Sequence, residues 1–169
     1  ERFKSLLSIS KTRGPNESST KYFNGEIRFG FNRLSILDLS KRASQPVWSP
    51  SGRYLIVFNG EIYNHLELRK KLGDHGKNIK SHGDTASLAY FIDKWGIFNT
   101  IELLDGMFAI GIWDRKAKCL SLARDFAGIK PLFYGMNNSG FVFASQYNQI
   151  SNHPFFKDEG INQSVLKLY

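Results

Sequence analysis

Asn59-Gly60, within Val57-Phe58-Asn59-Gly60-Glu61-Ile62-Tyr63-Asn64, is the first place where residue type and position suggest chemistry. Asn-Gly after an apolar run is the commonest short hairpin signal. Glycine also lets a backbone N–H approach a ligand closely. The residues alone leave both readings open, a plain turn or a donor site. The other reactive types say less. The four histidines, His65, His75, His82 and His153, sit in polar surroundings without a metal-ligand spacing and read as surface or turn residues. Cys119, between Lys118 and Leu120 in an apolar run, reads as a strand packing residue, since free cysteines are mostly buried and inert.

These residues depend on the elements around them. Tyr54–Asn59 is apolar and rich in Ile, Val and Phe, which predicts a buried strand. Ile62, Leu66, Leu68 and Leu72 then recur among charges, which predicts a helix over 61–72. Asp84-Thr85 predicts a second helix start, with Asp84 as N-cap and Leu88, Phe91, Ile92 and Trp95 at helical spacing before Gly96. Upstream, Phe3, Leu6 and Leu7 predict a short helix that ends by Gly14-Pro15. Residues 16–25 are polar and turn-rich, Ile27, Phe29 and Phe31 alternate as in a half-buried strand, and 38–53 reads as a loop. Beyond residue 105 strands are predicted over 107–113, 119–123, 132–134 and 141–144. Helices followed by antiparallel strands imply an α+β layered fold and exclude a Rossmann alternation.

The 169 residues, 41% hydrophobic and 22% charged, suffice for one domain with its own core. No run reaches the length of a membrane span, so no membrane partner is expected. Glu1-Arg2-Phe3-Lys4 holds neither an initiator Met nor an apolar signal segment, so a soluble, truncated chain is expected. A single cysteine makes a reducing, cytoplasmic location the simplest assumption. The net charge of +8 comes from residues 1–80, which hold 15 Lys and Arg against 7 Asp and Glu. These cations are scattered through amphipathic patterns such as Leu68-Arg69-Lys70-Lys71-Leu72, and no basic-aromatic recognition motif accompanies them, so no nucleic acid is expected.

Five motifs in order carry a family resemblance. They are Arg33-Leu34-Ser35-Ile36-Leu37-Asp38-Leu39-Ser40, Asn59-Gly60-Glu61-Ile62-Tyr63-Asn64, Gly83-Asp84-Thr85, Asp105-Gly106-Met107-Phe108-Ala109, and Ala123-Arg124-Asp125 with Gly128-Ile129-Lys130-Pro131-Leu132. With Arg13-Gly14-Pro15 ahead of them, the chain closely resembles the N-terminal glutaminase domain of glutamine-dependent asparagine synthetases, a class II glutamine amidotransferase. The resemblance implies a four-layer α-β-β-α sandwich of the N-terminal-nucleophile hydrolase type. It implies that a cysteine thiol, with its own α-amino group as base, attacks the glutamine side-chain amide and releases ammonia for a second domain. A free α-amino group titrates near pH 8, so no histidine is required.

Residue by residue, the resemblance makes the Asn59 amide and the Gly60 N–H an oxyanion hole. Arg33 receives the α-carboxylate of glutamine and Asp84 its α-ammonium. Backbone groups of Leu34, Ser35, Ile36, Leu37 and Glu61 complete the pocket. Arg124, Asp125 and Lys130 are expected to form structural ion pairs. No cofactor or metal belongs to this domain; ATP and Mg are expected in a synthetase domain whose Ser-Gly-Gly-x-Asp-Ser signature the chain lacks. The expected partners are glutamine and that synthetase domain, with room for a homodimer.

The chain departs from the family pattern at several positions. No cysteine stands ahead of Arg13-Gly14-Pro15, Asn16 replaces an aspartate, Ala86 a glutamate, and Gln146 a glutamate. Two readings follow. One is a fragment of an active enzyme, inactive as it stands, whose gene encodes Met-Cys-Gly upstream of Glu1. The alternative is a nucleophile-less module with a binding or structural role.

Overall fold

The computed structural model describes residues 1–34, 44–77 and 79–157. In chain order these form α1 (Arg2–Ser8), a 3-10 turn (Lys11–Arg13), β1 (Glu17–Phe23), β2 (Ile27–Arg33), β3 (Val47–Trp48) and β4 (Tyr54–Ile62). Four helices follow: α2 (His65–Lys71), α3 (Asp74–Lys77), α4 (Asp84–Trp95) and α5 (Ile97–Leu103). Then come β5 (Gly106–Asp114), β6 (Cys119–Arg124), β7 (Phe133–Asn137), β8 (Gly140–Ala144) and α6 (Tyr147–Ser151).

The central sheet runs β3-β4-β5-β6, antiparallel throughout, with Tyr54 opposite Asp114 and Ile62 opposite Gly106. Both of its faces are covered, which is why β4 reads as a nearly continuous apolar run. Tyr54, Ile56, Phe58 and Ile62 pack with Ile110 and Ile112 against Leu88, Ala89 and Ile92 of α4. Leu55 and Val57, on the opposite face, pack with Phe29 of β2 and Phe143 of β8, whose rings meet edge to face at 5.4 Å. Each such fully buried aliphatic side chain contributes on the order of 1.5–3 kcal/mol.

The outer layer of strands is two hairpins, β1-β2 and β7-β8. α1 covers the first: a Cβ at Gly30 would touch Phe3 and Leu7 at 3.0–3.1 Å. α6 and the turn after it cover the second, Ile150 and Phe156 lying against Gly135. The layers are therefore helices α2–α5, the central sheet, the paired hairpins, and α1 with α6. This is the expected four-layer α-β-β-α sandwich.

Several elements differ from the sequence expectations. β4 does not end at Asn59; it continues through Asn-Gly to Ile62, and α2 starts only at His65. Gly60 makes this possible, because a Cβ there would collide with the Met107 carbonyl and lie 2.7 Å from Phe108 Cα. Residues 17–23 are a strand despite their polarity, since full-length pairing with β2 satisfies their backbone. The expected loop over 38–53 includes the short strand β3, and its first part, 38–43, lies outside the described residues. Gly96 ends α4 but also opens α5, which the pattern did not suggest. Cys119 is exposed at the first position of β6 and is not a packing residue.

Candidate functional site

Asn59 shares the strand face of Leu55 and Val57, so period-2 alternation points it between the two strand layers. There a groove of about 650 Å³ runs between β2 and β8. Val57, Phe58, Asn59 and Ala109 to Gly111 form its floor, residues 25–32 one wall and 141–145 the other. Among the described strands β2 pairs only with β1, and β8 only with β7, so an edge of each faces the groove. Gln149 bridges one end: its Nε2 donates to Leu6 O (3.2 Å) and Ser10 Oγ (3.1 Å). Arg13 Nη1 donates to Ser145 O at 3.2 Å.

Arg33, the last residue of β2, is buried, and its Nη1 lies 3.4 Å from Glu17 Oε2. The preceding Arg13-Gly14-Pro15 is placed by close packing. A Cβ at Gly14 would meet the Asn32 carbonyl and lie 2.8 Å from Arg33 N. Leu34 is exposed, at 54%. Ser35, Ile36 and Leu37 lie outside the described residues.

Asp84 is buried at the first position of α4, and the cap position belongs to Gly83, so Asp84 is not the N-cap expected from sequence. Its Oδ2 instead accepts from the Ile62 N–H at 3.0 Å, two residues after Gly60. The end of β4 and the acidic residue are thus held together by a direct hydrogen bond. Burial pushes the Asp84 carboxyl above its ordinary range, against the lowering effect of the Ile62 and Thr85 backbone donors and nearby His65. His65, at the start of α2, is half-buried, with Nδ1 3.4 Å from Ser87 Oγ; burial lowers its pKa, which the neighbouring Asp84 opposes. It is therefore not the solvated surface histidine expected from sequence. Glu61 is half-buried in β4 opposite Met107.

Arg69 and Gln45 support these groups, and sequence reasoning missed both. Arg69 of α2 donates Nη2 to the carbonyls of Ser81 (2.7 Å) and Gly83 (2.8 Å), and Nε to Ser87 Oγ (2.6 Å). It fixes the loop that delivers Asp84. In the sequence it belongs to a run of basic residues on an amphipathic helix, which reads as a solvated face. Gln45 sits in a stretch read as loop, and nothing local to it signals its contacts.

The remaining motif residues hold backbone. Asn64 donates Nδ2 to Leu103 O (2.8 Å) and accepts from Asp105 N (3.1 Å), closing the end of β4 onto the start of β5. Asp125 accepts from the N–H groups of Phe108, Ile129 and Lys130 at 2.8–3.1 Å, and Arg124 donates to the carbonyls of Gly128 and Lys130. The expected ion pairs among Arg124, Asp125 and Lys130 are replaced by these side-chain to backbone bonds, because a tight loop leaves backbone groups needing partners.

The glutamine amidotransferase domain model matches residues 1–169. The chain belongs to this family. A Mycobacterium tuberculosis protein provisionally named asparagine synthetase (glutamine-hydrolyzing) is 42% identical over 147 residues, covering 82% of this chain and 22% of the relative. Asparagine synthetase (glutamine-hydrolyzing) 3 of Bacillus subtilis is 34% identical over 146 residues, covering 86% and 24%. Among solved structures, glutamine phosphoribosylpyrophosphate amidotransferase of B. subtilis aligns with a TM-score of 0.59 at 25% identity, covering 72% of this chain and 28% of that one. The amidotransferase domain therefore spans about a fifth to a quarter of the length of these curated relatives. Its sandwich is of the N-terminal-nucleophile hydrolase type.

Proposed function

We propose that this amidotransferase domain hydrolyses the side-chain amide of glutamine within an asparagine synthetase-like enzyme, passing ammonia to a second domain for ATP-dependent amidation. The supporting observation is the Asp84 Oδ2 to Ile62 N–H bond, which places a buried carboxylate beside the strand segment that carries Asn59 and Gly60. Free glutamine presents a cation and an anion at one end and an uncharged amide at the other. Asp84 suits the ammonium and Arg33 the carboxylate. The Asn59 amide and Gly60 N–H suit the oxygen of the reacting amide.

In this mechanism a thiolate adds to the amide carbon, the C–S bond forms and the C=O electron pair moves onto oxygen. Asn59 and Gly60 donate to that oxygen, a stabilisation whose loss typically costs about a hundredfold to a thousandfold in kcat. The α-amine on the nucleophilic residue takes the thiol proton and delivers it to the departing nitrogen, so ammonia leaves as the C–N bond breaks. Water then cleaves the thioester to glutamate and regenerates the thiol. Cys119 cannot begin this sequence, being exposed on β6 and internal to the chain, without a free α-amine.

We assign the nucleophile to an extended segment lying in the groove between β2 and β8, over Asn59, with Met-Cys-Gly encoded upstream of Glu1. Chain 1–169 alone should then release no ammonia from glutamine, whereas the full-length protein should. Ammonia release by the pure 1–169 chain, or a start codon immediately before Glu1, would sink this assignment. ATP and Mg act in the second domain under this proposal, and the amidotransferase domain uses neither.

A further inference from the structure

Three elements must be held in register for the proposed reaction: the end of β2 with Arg33, the middle of β4 with Asn59 and Gly60, and the start of α4 with Asp84. One buried side chain touches two of them, β4 and α4, and the backbone that carries it is tied to β1, the partner of β2. Gln45, 5% exposed, donates Nε2 to Phe58 O at 2.8 Å and accepts from Phe58 N at 2.6 Å on Oε1. Its amide thus pairs with both backbone groups of Phe58, as a neighbouring strand would, at the residue just before Asn59. The same Nε2 lies 3.5 Å from Thr85 Oγ1, next to Asp84. Its own carbonyl accepts from Ser19 Oγ of β1. The preceding residue, Ser44, donates to Glu17 Oε2 at 2.8 Å, the carboxylate oxygen that also receives Arg33.

We propose that Gln45 is a positioning residue that aims the Asn59 amide and the Gly60 N–H, through the backbone of Phe58. The inference rests on the glutaminase reading of this site. A primary amide is the side chain suited to this place. It offers a donor and an acceptor side by side at any pH, matching the C=O and N–H of one extended residue. Buried as it is, a lost bond here leaves a backbone group without a partner, which displaces the strand to recover one. A displacement of about 1 Å at reacting groups is worth on the order of a hundredfold in rate.

The test uses the full-length protein that carries this domain, measuring glutamate formation from glutamine. Gln45→Met keeps side-chain length and removes both bonds. Gln45→Glu, assayed at a pH high enough to ionise it, keeps an acceptor for Phe58 N–H and sets a second oxygen against Phe58 O. Both are expected to lower kcat by about tenfold to a hundredfold, with KM for glutamine changed less than about threefold, because Arg33 and Asp84 still bind the substrate's charged end. Combined with Asn59→Ala, the Gln45→Met loss should shrink below its value in the unmodified background, since only the Gly60 N–H is then left to aim. A folded Gln45→Met protein with kcat within twofold of the unmodified one overturns the proposal, as do fully additive losses in the double variant. If neither single variant folds, judged by thermal melting, Gln45 is a folding determinant and the positioning role is rejected. Should the unmodified full-length protein form no glutamate, it is the glutaminase reading that fails.

Discussion

At Asp84 the fold holds a carboxylate against its own preference. Two backbone donors favour the charged form, yet burial outweighs them and the carboxyl titrates above its ordinary 3.8. A carboxyl whose folded pKa is raised contributes stability that is full below about 3.8 and lost as pH rises through the folded value. At neutral pH the charge is therefore a cost to folding, of the kind expected where an ammonium ligand is to be received. Asp84→Asn, which can still accept from Ile62 N–H, is expected to melt higher than the native chain at pH 7. Each kcal/mol recovered is worth about 2–4 °C in a domain of this size. The gain should shrink as pH falls toward 4. The same substitution should abolish glutamine binding, measured by calorimetry. A lower melting temperature at pH 7, or unchanged glutamine affinity, would contradict the role given to Asp84. Asn59→Ala separates from it in kind: in the full-length enzyme kcat should fall about a hundredfold or more with KM little changed, because its donor matters chiefly once charge develops on the oxygen.

At the scale of elements, the site is built on the antiparallel pair β4-β5, whose backbones approach closely where Gly60 faces Phe108 and Gly106 faces Ile62. A Cβ at Gly60 would meet backbone atoms of Met107 and Phe108, which cannot swing aside as a side chain can. Gly60→Ala is therefore expected to destabilise by about 3 kcal/mol or more, at the upper end of overpacking costs. Gly25→Ala, at φ 73° with open space around it, should cost only about 1–2 kcal/mol from its left-handed backbone. Chemical denaturation of the two variants checks the order, and equal losses would show that β5 yields easily. The same pair shows what the sequence could and could not reveal. Tyr54 to Phe58 announced a strand because both its faces are covered, but continuation to Ile62 depended on β5 passing close to Gly60. Glu17 to Phe23 are polar because their outer positions meet solvent, and only β2 makes them a strand. Arg33, Asn59, Gly60 and Asp84 could be nominated as candidates from motif order. Gln45 and Arg69 could not, because their contacts exist only between elements distant in sequence.

Across the whole molecule, the two hairpins of the outer layer present facing edges, β2 and β8, on either side of a groove with an apolar floor. Gln149 and Arg13 tie the two sides together at one end through α1, the 3-10 turn and the segment around α6. Strand edges with backbone groups facing a groove are templates for pairing with another extended segment. If the proposed nucleophile segment normally lies there, chain 1–169 should seek another partner for these edges. Sedimentation at rising concentration is expected to show self-association of the 1–169 chain, and hydrogen exchange should show β2 and β8 amides becoming protected as it associates. The same amides should be protected at every concentration in the full-length protein, where the segment would pair within the chain. A 1–169 chain that stays monomeric over the micromolar range, with β2 and β8 already as protected as in the full-length protein, would mean that the groove closes on itself. The nucleophile would then have to be sought elsewhere than between these two strands.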